Sequence, residues 1–221
     1  MSDFETKYIA RNAHAPKIRA WLDAKFKKDT EYPETIISSI YFDDYNMSYL
    51  KEKDESDHVK SKFRIRWYED IKTKEASDIC FLEFKHKIGE NRFKKRIKAA
   101  NEFSSLALES SEFGNAVDRL RQFEGNILGH VYPSYIVSYT RHRYIVPGTN
   151  IRLCIDSNIH IKKNNKRLIK REFKKKYLDH CVFELKGETA ILPGSLNFIE
   201  QLGLKKDSFS KYEQCYRQLI E

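Results

Sequence analysis

The chain has 221 residues, with 41 Lys and Arg against 32 Asp and Glu, a net charge of +9 and an isoelectric point near 9.2. This length supports a full hydrophobic core and a single domain over residues 1–221, and the basic balance favours anionic partners: phosphorylated small molecules, polyanions, nucleic acid or an acidic membrane surface. No apolar run nears the roughly 20 residues of a membrane span, the opening Met-Ser-Asp-Phe-Glu is unlike a signal peptide, and the scattered Cys80, Cys154, Cys181 and Cys215 read as buried thiols of a reducing cytoplasm.

Residues 4–9 alternate as a strand, with Glu5 and Lys7 on one face and Phe4, Thr6 and Tyr8 on the other. Residues 13–28 carry Ile18, Trp21, Leu22, Ala24 and Phe26 near helical spacing, which predicts an amphipathic helix. The β-branched and aromatic run 36–43 reads as the second strand. A charged connection over 51–60 leads to 62–68, where Lys62, Arg64 and Arg66 share one face and Phe63, Ile65 and Trp67 the other. Three cations backed by an apolar face that must be buried describe a sheet that holds something anionic.

A polar loop over 70–78 precedes the strand 81–87, which sets Glu83, Lys85 and Lys87 against Leu82, Phe84 and His86. Gly89 and Asn91 mark the turn into 92–98, and 102–128 shows helical periodicity at Phe113, Val117, Leu120, Phe123 and Ile127, predicting one or two helices that end near Gly125 or Gly129. In 135–143 Tyr139, Arg141 and Arg143 align away from Ile136 and Ser138; after Pro147-Gly148, the strand 151–156 lines up Arg152, Cys154 and Asp156. The basic run 162–176 resembles a nucleic-acid patch as a linear feature, with a solvated hairpin as the preferred reading. In 182–186 Glu184 and Lys186 oppose Phe183 and Leu185. Pro193-Gly194-Ser195 predicts a helix start running to Leu202, and 208–220 a last helix with Tyr212, Cys215, Tyr216 and Leu219 on its apolar side.

Cations outnumber acids on nearly every polar strand face, whereas a merely solvated surface interleaves the signs. About eight strands in hairpins with inserted helices predict an α+β chain built on an antiparallel eight-stranded β-barrel, closed or left as a strongly curled sheet, with flanking helices. Burying so many unpaired cations would be costly, so the interior is expected to be wet and open to an anionic ligand. Nucleic acid is disfavoured, because Phe and Trp alternate away from the cations.

At these residues the chain resembles the polyphosphate polymerase domain of vacuolar transporter chaperone (VTC) proteins, within the CYTH or triphosphate tunnel superfamily. The resemblance runs in order through Phe4-Glu5-Thr6-Lys7-Tyr8, Ser39-Ile40-Tyr41-Phe42-Asp43, Lys62-Phe63-Arg64-Ile65-Arg66-Trp67-Tyr68, Leu82-Glu83-Phe84-Lys85, Lys94-Lys95-Arg96, Tyr139-Thr140-Arg141, Ile155-Asp156, Phe183-Glu184-Leu185-Lys186 and Phe209-Ser210-Lys211-Tyr212. It implies a cationic tunnel that takes a triphosphate or a polyphosphate chain, with a divalent ion held by acids. Arg64, Arg66, Lys85, Lys94, Arg141, Lys186 and Lys211 are then the catalytic lining. Lys7, Arg96 and Arg152 join them in binding phosphate, Tyr139 offers a nucleotide base a stacking surface at the tunnel mouth, and Glu184, with Glu5 and Glu83 behind it, is the metal ligand.

The implied activity is transfer of the terminal phosphate of ATP onto polyphosphate with Mn²⁺ or Mg²⁺. A triphosphatase or polyphosphatase on the same barrel, and a non-catalytic polyanion-binding module, are the alternatives. Phosphoryl transfer needs positioning and charge neutralisation more than covalent help, which suits a ring of Arg and Lys with a hard cation on a carboxylate. The regulatory helical domain and membrane anchor of eukaryotic relatives are not expected in this chain. The expected setting is the cytoplasm, with membrane association only through a separately encoded partner.

Overall fold

The computed structural model describes residues 4–55, 59–89, 91–123, 130–171, 177–188 and 194–220. Its strands are β1 (Phe4–Arg11), β2 (Lys27–Lys28), β3 (Glu34–Asp43), β4 (Val59–Glu69), β5 (Ala76–Ile88), β6 (Asn91–Ala100), β7 (Tyr132–Ile145), β8 (Arg152–Asn164), β9 (His180–Gly187) and β10 (Lys205–Lys206). All ten join one antiparallel sheet in the order β10-β1-β9-β8-β7-β3-β4-β5-β6, with β2 added beside β7. The eight longer strands are the eight expected, and β2 and β10 are two-residue additions.

Of the closed barrel and the strongly curled sheet expected, the described strands form the curled sheet, which is open with β10 and β6 at its ends. Closure would need β6 to pair with β1, but β1 already has β9 on one side and β10 on the other, with Tyr8 opposite Lys206 and Ile9 opposite Lys205. Its backbone donors and acceptors there are taken.

Helix α1 (Ala15–Lys25) has Pro16 in its first turn and buries Ile18 and Leu22 against the outer face of β1, β8 and β9. It is shorter than expected because Phe26 is extended and Lys27–Lys28 pair with Ile145 and Tyr144. Helix α2 (Ser48–Glu55) stands where the sequence suggested a connection. Its first turn is held by two carboxylates: Ser48 N donates to Asp44 Oδ1, Tyr49 N to Asp43 Oδ1 and Leu50 N to Asp43 Oδ2, each at 3.0 Å.

Of the one or two helices expected over 102–128, the described residues hold one, α3 (Phe113–Phe123), which starts later than expected after turns through 112. Phe103 and Leu108 are buried in those turns. The expected ends at Gly125 or Gly129, Pro193 and the 172–176 part of the basic run lie outside the described residues. The helix expected to reach Leu202 is two 3-10 turns, Gly194–Leu196 and Ile199–Leu202, the second ended by Gly203 at φ 79. Helix α4 (Lys211–Cys215) continues as a π-helical turn, Tyr216–Ile220.

Three apolar clusters follow from strand alternation. One lies under α1, and one lies between the outer face of β3, β4 and β5 and α3, around Phe42, Phe63, Ile65 and Trp67. The third sits inside the curl, where Phe209, Tyr212, Cys215 and Ile220 pack against Tyr41, Tyr135, Val137 and Tyr139. The C-terminal helix therefore fills part of the concave side with apolar contacts and leaves the rest to charge.

Candidate phosphate-binding site

The concave faces of the strands enclose a cavity of about 240 Å³ lined by sixteen residues, of which nine are cationic and three are carboxylates. Antiparallel register assembles it. On one wall Arg64 lies opposite Glu83, Lys62 opposite Lys85, and Lys85 opposite Lys94. On the facing wall Lys7 lies opposite Glu184 and Glu5 opposite Lys186. Arg141 enters from β7, and Lys211 from the start of α4.

The carboxylates organise the cations into three groups. Glu83 is reached by Arg64 at 2.7 Å, Arg96 at 3.5 Å and Arg66 at 3.6 Å. Burial opposes the charge on Glu83, but Arg64 and Arg66 overcome it and bring the carboxyl down to about 2. Glu5 pairs with Lys7 at 3.1 Å and Lys186 at 3.5 Å, which against burial also bring its carboxyl to about 2. The third group is a buried square: Arg141 Nη2 donates to Asp156 Oδ2 at 2.6 Å and Glu184 Oε2 at 2.7 Å, while Lys211 lies 2.7 Å from Asp156 and 3.1 Å from Glu184. Burial again opposes ionisation, yet Arg141 and Lys211 hold Glu184 well below the usual carboxylate range. Lys85 forms no ion pair among the described residues; burial first, and then Arg64, push its ammonium down to about 7.

Eight of the ten phosphate-binding candidates line the cavity, namely Lys7, Arg64, Arg66, Lys85, Lys94, Arg141, Lys186 and Lys211. The other two stand outside the lining. Arg152 is exposed opposite Lys186, and Arg96 sits 3.6 Å over the Phe81 ring. Tyr139 is in the lining but only 4 % exposed, with Arg141 at 5.6 Å and Lys211 at 4.9 Å over its ring. A stacked base would have to displace both cations.

Sequence reasoning passed over Asp156 as a partner of the cations, although it sits on a strand face with Arg152. It also passed over Tyr41, whose hydroxyl accepts from Arg64 Nη1 at 3.1 Å, and Ser210, which accepts from Lys62 Nζ at 2.7 Å. For Tyr41 the signal was alternation within 36–43; Ser210 carried no signal beyond its place before Lys211.

Among the described residues, no group of three or more His, Cys, Asp and Glu is gathered as a metal cage. Glu184, Glu5 and Glu83 are each engaged by cations, yet Glu5 and Glu184 are close enough for Glu184 to oppose ionisation of Glu5. Mg²⁺ and similar ions are commonly held by one or two carboxylates plus substrate phosphates. Glu184 and Glu5 fit a cation that arrives with a phosphate ligand, and do not fit one held by protein alone.

Fold and site together define a curled antiparallel sheet whose concave face is lined with cations. The model of the VTC domain matches residues 2–220, and the chain belongs to that family. No curated protein matches it. Among solved structures it is similar to a putative adenylate cyclase from Bacillus halodurans, at 16 % identity and TM-score 0.56, over 95 % of this chain and 96 % of that one. It is also similar to the PH1819 protein from Pyrococcus horikoshii OT3, at 13 % identity and TM-score 0.54, over 97 % and 99 % of the two chains. At such identities these likenesses show the fold.

Proposed function

We propose that this chain is a metal-dependent polyphosphate polymerase that transfers the terminal phosphate of ATP to a polyphosphate chain in the cationic cavity. The observation that carries this reading is the balance of the wall: nine cations face three carboxylates, each already paired, so the cavity keeps a large positive excess. Membership of the VTC family supports it. Arg64, Arg66 and Arg141 offer fork-shaped donors to phosphate oxygens, and Lys7, Lys85, Lys94, Lys186 and Lys211 offer adaptable point charges. Glu184 and Glu5 are the residues that would hold Mn²⁺ or Mg²⁺. Such an ion, when bound, neutralises charge developing on the transferred phosphate.

A triphosphatase is the second reading, favoured by the packing of α4 inside the curl, where Tyr212 stacks on Tyr41 and Tyr135 at 4.5 and 4.8 Å. A cavity filled at that side suits a short triphosphate better than a threaded chain. No helix among the described residues is long and apolar enough to cross a membrane, and membrane association through a separately encoded partner belongs to the same proposal.

Incubation of the purified protein with ATP and Mn²⁺ or Mg²⁺, with product chains resolved by length, tests the reading. ADP with polyphosphate longer than three units supports the polymerase. Free phosphate with no longer chain supports the triphosphatase, and tight binding without turnover of any triphosphate leaves a polyanion-binding module.

A further inference from the structure

Asp43 is the last residue of β3 and is fully buried, yet it stands outside the cavity lining. Its carboxylate meets neutral donors only. Oδ1 accepts from the amides of Asp44 at 2.9 Å and Tyr49 at 3.0 Å, and Oδ2 accepts from the amide of Leu50 at 3.0 Å and the Tyr212 hydroxyl at 2.7 Å. To cap α2 alone a Ser or Asn would serve. A buried carboxylate is the costlier choice, and burial raises it to about 6 against the bonds from Tyr212, Tyr49 and Asp44 that lower it. The bond that the cap does not need is the one to Tyr212.

Tyr212 is the next residue after Lys211, whose ammonium reaches Asp156 and Glu184 at 2.7 and 3.1 Å in the cavity wall. Its ring lies between those of Tyr41 and Tyr135, with centroids 4.5 and 4.8 Å away and near-parallel planes. Tyr41 in turn accepts from Arg64 Nη1 at 3.1 Å. A register shift strengthens the joint: Tyr41 pairs with Tyr135 and Phe42 with Pro133, which leaves Ser134 as the extra residue of a bulge. The Ser134 hydroxyl donates to the Tyr41 carbonyl at 2.9 Å and lies 3.3 Å from the Tyr212 hydroxyl.

We propose that Asp43 is a positioning residue: by holding the Tyr212 hydroxyl it fixes the start of α4, and so the place from which Lys211 presents its charge, relative to Arg64, to a bound phosphate chain. This rests on the reading of the cavity as a phosphate site. A cation held in place before the ligand arrives has little freedom left to lose on binding, so its anchoring appears in affinity.

Calorimetry with tripolyphosphate on the full chain, without added divalent ion, tests this through a double-mutant cycle. Tyr212→Phe keeps the stacked ring and leaves Asp43 its three amide donors. It is expected to weaken tripolyphosphate about 10-fold, the lower end for one hydrogen bond to a charged group. Asp43→Asn, which keeps the size of the side chain, is expected to weaken it as well. In a Lys211→Gln background, Tyr212→Phe is expected to change affinity by no more than about 2-fold, because the cation it positions is gone; a purely structural role would give the same loss in both backgrounds. A thermal-shift series with tripolyphosphate ranks any variant too weak to titrate, and if Asp43→Asn does not fold, the Tyr212→Phe cycle decides alone. Equal losses in the two backgrounds, or no loss in either single variant once folded, overturn the positioning role while the phosphate site stands. Failure of the unaltered protein to bind tripolyphosphate overturns the phosphate reading and this inference with it.

Discussion

Lys211 places its ammonium 2.7 Å from Oδ2 of Asp156, joining the C-terminal helix to strand β8 within the wall of the cavity. Asp156 is fully buried and also accepts from Arg141, so it shares both cations with Glu184. Asp156→Asn leaves both with Glu184 as their remaining carboxylate partner. Removing one member of a buried pair costs about 3–5 kcal/mol. Urea unfolding should show a loss of that order, and tripolyphosphate should stabilise the variant more than the unaltered protein, because the ligand replaces the missing negative charge. Equal stabilisation of the two proteins would contradict this.

Anions should stabilise the unaltered protein strongly as well. Tripolyphosphate at about 100 times its Kd adds about 2.7 kcal/mol by mass action. Thermal unfolding at matched ionic strength separates this from screening: chloride should give a much smaller rise in Tm. A shift no larger with tripolyphosphate would be incompatible with a phosphate-binding cavity.

Glu184→Gln should abolish metal-dependent turnover of ATP and preserve or tighten tripolyphosphate binding. The substitution keeps the side-chain shape and removes one negative charge from between Arg141 and Lys211. Initial rates across a Mn²⁺ titration, paired with calorimetry, test both halves. Turnover with unaltered metal dependence would assign Glu184 to the ion-pair square alone.

Lys85 should link anion binding to pH. Burial, then Arg64, lower its ammonium from the ordinary 10.5 to about 7, and a bound polyanion favours the charged form. Above pH 7 the free protein therefore holds fewer protons on Lys85 than the complex does, so binding takes up a proton and affinity falls as pH rises. The unfolded chain also holds more protons in that interval, so stability without ligand rises with pH. Calorimetry in buffers of different ionisation enthalpy should detect proton uptake at pH 8, and Lys85→Gln should remove it.

Much of the wall was legible because strand alternation is local. A period of two, with Phe63, Ile65 and Trp67 committed to a core, leaves Lys62, Arg64 and Arg66 one direction to point, and the same holds for Glu83 with Lys85 and for Glu184 with Lys186. Helix α2 was illegible because its start depends on two carboxylates that lie before it, Asp43, read as the end of a strand, and its neighbour Asp44. Residues 102–112 misled because the helical periodicity that begins at Phe113 was extended back over them, whereas Phe103 and Leu108 bury themselves in turns.

By itself the sequence determined which residues share a strand face, the excess of positive charge on those faces, and the family. Tertiary structure alone decided which charges meet. That Asp156 lies between Arg141 and Lys211 depends on the register of β7 against β8 and on where α4 returns to the sheet. That Tyr139 lies beneath Arg141 and Lys211 depends on the curl of the sheet and on where α4 returns to it. Alternation orients a side chain relative to its own strand; the partner it finds across the cavity is set by long-range packing, which no local period encodes.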